Sequence, residues 1–162
     1  MRDIPIKVFR IDDRLVHGQV TVGWTRAYDI RSIVVANDVL AKDEIQLMVL
    51  TMAAPAGINV TAMTISDFAA AYHQGRFEQV QLMVIVTNPT DVVRLLDAGV
   101  RLTSVNVGGM QYKRGKTQIS KAVSVNEEDI RSFHELAQRG VELEVRMFPS
   151  DPKEDLMVLL SK

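Results

Sequence analysis

Short apolar runs rich in β-branched residues alternate with longer stretches of helical period along almost the whole chain, and that alternation decides what it can fold into. Residues 6–11, 32–36, 58–63, 80–86 and 103–107 read as strands, the fourth being the most continuously apolar. Between them, residues 17–28 read as a helix, and residues 66–74 as another that ends at Gly75. Asp38 or Asp43 is placed to cap a helix that runs to about Ala54, ahead of Pro55. Thr87-Asn88-Pro89-Thr90-Asp91 is a helix start, with polar caps and a proline in the first turn, and this helix ends near Gly99. Asn126-Glu127-Glu128-Asp129 opens a further helix with its acids where the dipole favours them, and Asp151-Pro152 opens a last short one. Strands alternating with helices in this way imply βαβ units. The expected fold is α/β: an open, mainly parallel twisted sheet with helices on both faces. Val141, Leu143, Val145 and Met147 alternate with Glu142, Glu144 and Arg146, so this strand is expected at an edge with one face in water. No linker, low-complexity tract or repeat interrupts the pattern, and residues 1–162 read as one domain.

Composition narrows the function. The formal net charge of −1 gives no reason to expect nucleic acid or an anionic membrane as partner. Cysteine is absent, which removes disulfides, thiolate catalysis and Cys-based zinc sites and suits a reducing compartment. With three histidines and no His-x-x-x-His or Glu-x-x-His spacing, no metal and no cofactor is expected. Met1-Arg2-Asp3-Ile4-Pro5 lacks the apolar run of a signal peptide. No apolar stretch approaches the roughly 18 residues that span a bilayer.

In open parallel sheets, active groups gather where strands end and helices begin. The first such junction is Arg10-Ile11-Asp12-Asp13-Arg14-Leu15-Val16-His17-Gly18-Gln19-Val20, which crowds acids, arginine, histidine and glycine into one turn. A neutral imidazole keeps a lone pair near neutral pH, so His17 is a competent phosphoryl acceptor. A phosphohistidine carries roughly −2 charge and needs donors. Arg14 offers a bidentate guanidinium from the same loop. Gly18 permits close backbone approach, and the N–H groups of the helix that begins Gly18-Gln19 can face the phosphoryl oxygens. Asp12 or Asp13 can orient Arg14 or hold one imidazole tautomer. The candidates are therefore His17 and Arg14 for catalysis, with Asp13, Gly18 and Gln19 around the phosphoryl group. The same residues equally suit a solvated turn with His17 capping or packing a helix.

The run from Phe9 to Val20 also resembles the phosphorylation loop of enzyme IIB components in mannose/sorbose-type sugar phosphotransferase systems. The likeness continues through Thr87-Asn88-Pro89-Thr90-Asp91-Val92, Val105-Asn106-Val107-Gly108-Gly109-Met110, Arg114-Gly115-Lys116-Thr117-Gln118, Lys121-Ala122-Val123-Ser124-Val125 and the segment from Gly140 to Arg146. It implies a relay in which a phosphohistidine of the IIA component donates to Nδ1 of His17, with Arg14 assisting. His17 then passes the group to a sugar held by the membrane components IIC and IID. It further implies a cytoplasmic chain, peripherally associated with those membrane subunits. Some family members are fused to a IIA domain, whereas this chain begins almost directly at its first strand and reads as a free-standing subunit. Which sugar is handled is not legible, because specificity belongs to the membrane components.

Other residues are weaker candidates. His73, late in a helix, and His134, on a charged helix, read as surface. Trp24 lies two turns after His17 on the same helical face and reads as core. Gly108-Gly109 reads as a loop needing unusual backbone angles rather than half of a nucleotide fingerprint. The loop at Val35-Ala36-Asn37-Asp38 faces the same sheet end and receives no chemical role. Lys113, Arg114 and Lys116 read either as a solvated turn or as a patch that docks and steers an anionic partner. A second class of function stays open at this stage: a non-catalytic α/β module that senses a small anion at the Arg14/His17 loop.

Overall fold

The computed structural model describes residues 6–162; Met1-Arg2-Asp3-Ile4-Pro5, read above as lacking a signal peptide, lies outside them. Strand β1 (Ile6–Asp12) leads into helix α1 (Gly18–Ala27) and then strand β2 (Ser32–Ala36). A single 3₁₀ turn at Leu40–Lys42 precedes α2 (Glu44–Ala53), β3 (Asn59–Met63) and α3 (Ile65–His73). Next come β4 (Leu82–Val86), α4 (Pro89–Asp97), β5 (Ser104–Gly109) and a hairpin of β6 (Thr117–Ser120) and β7 (Val123–Val125). The chain closes with α5 (Glu127–Gln138), β8 (Glu142–Val145), β9 (Glu154–Asp155) and α6 (Leu156–Leu160).

The main sheet has the order β3-β2-β4-β1-β5-β8-β9, parallel throughout except for the antiparallel β9. From β1 the chain winds first toward β2 and β3, then returns through β4 to β5 and β8. The β1 loop therefore opens where the winding reverses, the place at which parallel sheets leave a crevice. Helices cover both faces. Val20 and Trp24 of α1 and Leu50 of α2 pack with Val8, Ile33, Val35, Met83 and Ile85 on one face. Phe68, Val92, Leu95, Phe133, Leu136 and Leu156 from α3 to α6 pack with Phe9, Ile11, Val84, Val86 and Val107 on the other. Every residue of β4 is buried, as a strand apolar on both faces requires.

The helix starts follow local chemistry. Asp43, not Asp38, caps α2 by accepting from the N–H groups of Ile45 and Gln46. Asp38 instead accepts from Ile65 N–H and pairs with Arg94 at 2.7 Å. Asn88 caps α4 with Pro89 in its first turn, and Asn126 and Asp129 form a reciprocal capping box on α5. The last helix begins at Leu156 under an Asp155 cap, not at Asp151-Pro152, because the Asp151 carboxylate is bonded to Phe148 N–H. The β6–β7 hairpin was not read from the sequence; its strands are too short to show a period.

The alternating strand closes its side of the sheet except for the two-residue β9. Its charged face is only partly in water, however. Glu142 is exposed, but Glu144 is buried at 4% exposure and held by Arg146 through two bonds of 2.8 and 2.9 Å.

Candidate functional site

Strand β1 ends on two inward-facing polar residues, Arg10 and Asp12, which are two apart and so share one face. Both are buried, at 1% and 0% exposure. The chain then turns sharply, with Leu15 at φ 66° and Gly18 at φ 48°, so that His17 stands at the N-terminus of α1. At position 18 glycine takes the left-handed backbone without the Cβ penalty that Leu15 bears. His17 N–H donates to Thr21 Oγ1 at 2.8 Å, which fixes the backbone of the loop against the first helical turn.

Asp12 organises the loop. Its Oδ1 accepts from the Arg14 N–H at 3.0 Å and from Arg14 Nε at 3.3 Å. Its Oδ2 accepts from Arg10 at 2.9 Å and lies 2.8 Å from Nε2 of His17. Burial pushes the Asp12 carboxyl up, but the hydrogen bond from His17 and the Arg10 charge outweigh it and hold the group below the ordinary carboxylate value. An ionised carboxylate only accepts, so Nε2 carries a proton, and the lone pair of a neutral imidazole held this way lies on Nδ1. Of the two aspartates, it is Asp12 that contacts the imidazole.

The structure brings Arg14, His17, Gly18 and Gln19 to one exposed lip. One terminal nitrogen of Arg14 has no hydrogen-bond partner among the described residues. The first N–H groups of α1, from Gly18 onward, have no intrahelical acceptors. The structure does not bring Asp13 together with His17. Its Oδ2 accepts from Gln111 N–H at 2.9 Å, and its own N–H donates to Gly109 O, so it ties this loop to the one after β5.

Comparisons with known proteins identify the family. A family model described as "PTS system sorbose subfamily IIB component" matches residues 6–162. The chain belongs to the sorbose subfamily of phosphotransferase-system (PTS) IIB components. It is 41% identical to the fructose-specific EIIB component of Bacillus subtilis, covering 96% of this chain and 95% of that protein. It is 45% identical over 157 residues to the mannose-specific EIIAB component of Escherichia coli K12, and spans 49% of that longer protein's length. The crystal structure of the IIBSor domain of the sorbose permease from Klebsiella pneumoniae superposes with a TM-score of 0.93 at 36% identity, over 96% of each chain.

In this IIB chain, the basic cluster after β5 divides. Lys113 and Arg114 are exposed in the loop tied to Asp13, on the same sheet end as His17. Lys116 turns inward past Gly115, at φ 92°, and pairs with Asp129 of the α5 capping box at 3.3 Å. The other two histidines are apart from the site: His73 bonds Ala98 O beyond the end of α4, and His134 is exposed on α5.

Gly108 and Gly109 have ordinary backbone angles, contrary to the sequence reading. They are glycines for space. A Cβ at Gly108 would lie 2.0 Å from the Arg10 guanidinium carbon, and one at Gly109 would lie 3.0 Å from Arg14. Sequence reasoning missed Arg10, Asn106, Glu144 and Arg146, which form a bonded group behind Asp12 under Trp24. Trp24 is buried and holds Met147 O by its indole N–H. The available signal was a polar residue with an apolar neighbour on each side, Phe9-Arg10-Ile11 in β1 and Val105-Asn106-Val107 in β5.

Proposed function

We propose that this chain carries a phosphoryl group on Nδ1 of His17, taken from a phosphohistidine of a IIA component and given to a sugar bound by the membrane components IIC and IID. In each step a P–N bond breaks: first the donor's while one to Nδ1 forms, then the Nδ1 bond while a P–O bond to the sugar forms, its hydroxyl proton leaving. The Nε2 proton stays in its bond to Asp12 throughout. The observation that carries this reading is the 2.8 Å contact between Asp12 and Nε2, which leaves the opposite nitrogen nucleophilic. Arg14 and the N–H groups at Gly18 and Gln19 supply positive potential where the phosphoryl charge develops. Asp13 contributes by holding the lip to the Lys113/Arg114 loop rather than by touching the group.

No helix among the described residues is long and apolar enough to cross a membrane; in this reading the chain meets its sugar-bearing partner from the water side. The E. coli relative, about twice as long, carries the name EIIAB, which fits a IIA partner for this chain. Incubation with phosphoenolpyruvate and the general phosphotransferase proteins, IIA included, should add one acid-labile, base-stable phosphoryl group. His17→Ala should fold and gain none. A module that only senses anions would gain none in the unaltered chain.

A further inference from the structure

One row of the sheet runs through Ala62, Val35, Ile85, Arg10, Asn106 and Glu144, each the register partner of the next across β3, β2, β4, β1, β5 and β8. Half of the row is apolar and the other half carries a full charge, an amide and a second full charge, all buried. Asn106 joins the two charges. Its Oδ1 accepts from Arg10, and its Nδ2 donates to Glu144 at 3.2 and 3.3 Å. The amide is oriented by charge at both ends, acceptor toward the guanidinium and donors toward the carboxylate. Arg10 also donates to Arg146 O at 3.2 Å, and Arg146 clamps Glu144. The indole of Trp24 lies over both guanidinium groups, at 5.2 and 5.1 Å.

Stability alone does not account for this group. Replacing buried ion pairs with apolar side chains of similar volume is often neutral or stabilising, and the other half of the same row is built that way. Burial opposes the Arg10 charge, while Asp12 and Glu144 support it. The group ends on Asp12 Oδ2, the atom that meets His17 Nε2. A bonded line therefore runs from Glu144 through Asn106, Arg10 and Asp12 to the imidazole, with Asp12 Oδ2 the acceptor shared by Arg10 and His17.

We propose that Asn106 and Glu144 are positioning residues for phosphoryl transfer, acting on His17 through Arg10 and Asp12; the transfer itself rests on the carrier reading above. Neither touches His17. Asn106 holds the Arg10 guanidinium at the depth where it meets Asp12 Oδ2, and Glu144 fixes which way the amide faces and balances the second buried charge. The space for this is kept by Gly108, whose added Cβ would strike the guanidinium.

The test uses the full chain and three variants: Asn106→Leu, Asn106→Asp, and Asn106→Asp combined with Glu144→Gln. Asn106→Leu deprives Arg10 of an acceptor. Asn106→Asp sets two like charges together, and the repulsion from Glu144 drives the new carboxylate onto Arg10 and draws Arg10 from Asp12. The combined variant keeps one carboxylate and one amide in reversed order, and the amide at 144 can donate to the carboxylate at 106 as that accepts from Arg10. Long-range ¹H–¹⁵N spectra of unphosphorylated protein read the His17 tautomer, and transfer from phosphorylated IIA reads the rate. Both single variants should lose the pure Nε2–H pattern and slow transfer by about 10–100-fold, the scale of a misplaced reacting group. The combined variant should regain the pattern and most of the rate. A merely structural role moves only the unfolding midpoint, so folded single variants with normal spectra and rates overturn the proposal. A folded combined variant that stays as slow as Asn106→Asp overturns it equally. If Asn106→Leu does not fold, the two charge-bearing variants decide. Absence of phosphorylation in the unaltered chain defeats the carrier reading instead, and the tautomer spectra still judge the positioning.

Discussion

The two halves of the sheet row on the α1/α2 face make opposite use of the same backbone. At Ala62, Val35 and Ile85 the parallel ladder displays side chains that bury area and nothing else. At Arg10, Asn106 and Glu144, one to three strands away, it displays groups that are costly to bury and are satisfied by each other, Asp12 and Arg146. The opposite face is apolar along its strands, and its buried acids, Asp91 and Asp129, sit in the first turns of α4 and α5. Among the described residues, charge thus enters this core in mid-strand only behind the His17 loop. The lesson is that one half of the row holds the molecule together and the other holds a histidine still.

The comparison breaks most visibly if the apolar half matters for chemistry. Ile85→Ala should cost about 2–5 kcal/mol in stability through lost burial and a cavity, with the transfer rate of the folded fraction unchanged. Denaturant unfolding alongside transfer kinetics checks both; a folded variant with slow transfer erases the distinction between the halves.

On the charged side the order reverses. Arg14→Ala should slow transfer by about 10²–10³-fold, the usual loss of one charge-stabilising donor, with little change in stability because its side chain is one-third exposed. Arg14→Lys should recover only part, since an ammonium cannot make the planar two-point contact. A lysine variant as fast as the unaltered protein removes bidentate recognition from the account.

A smaller effect should appear in acid. The Asp12 carboxyl is held below its ordinary value, with burial opposing and the His17 bond and Arg10 charge prevailing. A depressed folded value means stabilisation that is complete above the unfolded carboxylate pKa of about 3.9 and is lost as pH falls through the folded value. Asp12→Asn should therefore flatten the acid limb of the stability profile below about pH 4. An unchanged limb shows that Asp12 gains nothing from its partners.

The smallest effect belongs to the exposed lip. Neutralising Lys113 and Arg114 should slow second-order transfer from IIA at low salt, and the gap should close near about 0.5 M, where the screening length falls well below its physiological value of about 8 Å. Lys116, spent on Asp129, should contribute to α5 and not to this rate. Identical rates at every salt concentration make the loop a plain solvated turn.

How far the sequence foretold this differs by residue. The β1 loop was legible because acids, arginine, histidine and glycine fall within one turn, where no other fold element could separate them. Helix starts at Asn88 and Asn126 were legible because capping is local. Glu144 and Arg146 read as water-facing because alternation reports a polar face and cannot say whether water or Asn106 satisfies it. Arg10 hid inside a strand pattern, since its partners are 96 and 136 residues away. Gly108 looked like a backbone device; the guanidinium that needs its space comes from another strand. Lys116 looked like one of three clustered cations until the Gly115 turn sent it to a different partner.

The central claim is that Asp12 holds Nε2 so that Nδ1 of His17 receives the phosphoryl group. The most direct measurement is ¹⁵N and ³¹P spectroscopy of the histidine-labelled, phosphorylated chain, which identifies the nitrogen bonded to phosphorus. The account predicts phosphorus on Nδ1 of His17, with the Nε2 proton retained and hydrogen-bonded. Phosphorus on Nε2, or on His73 or His134, contradicts it.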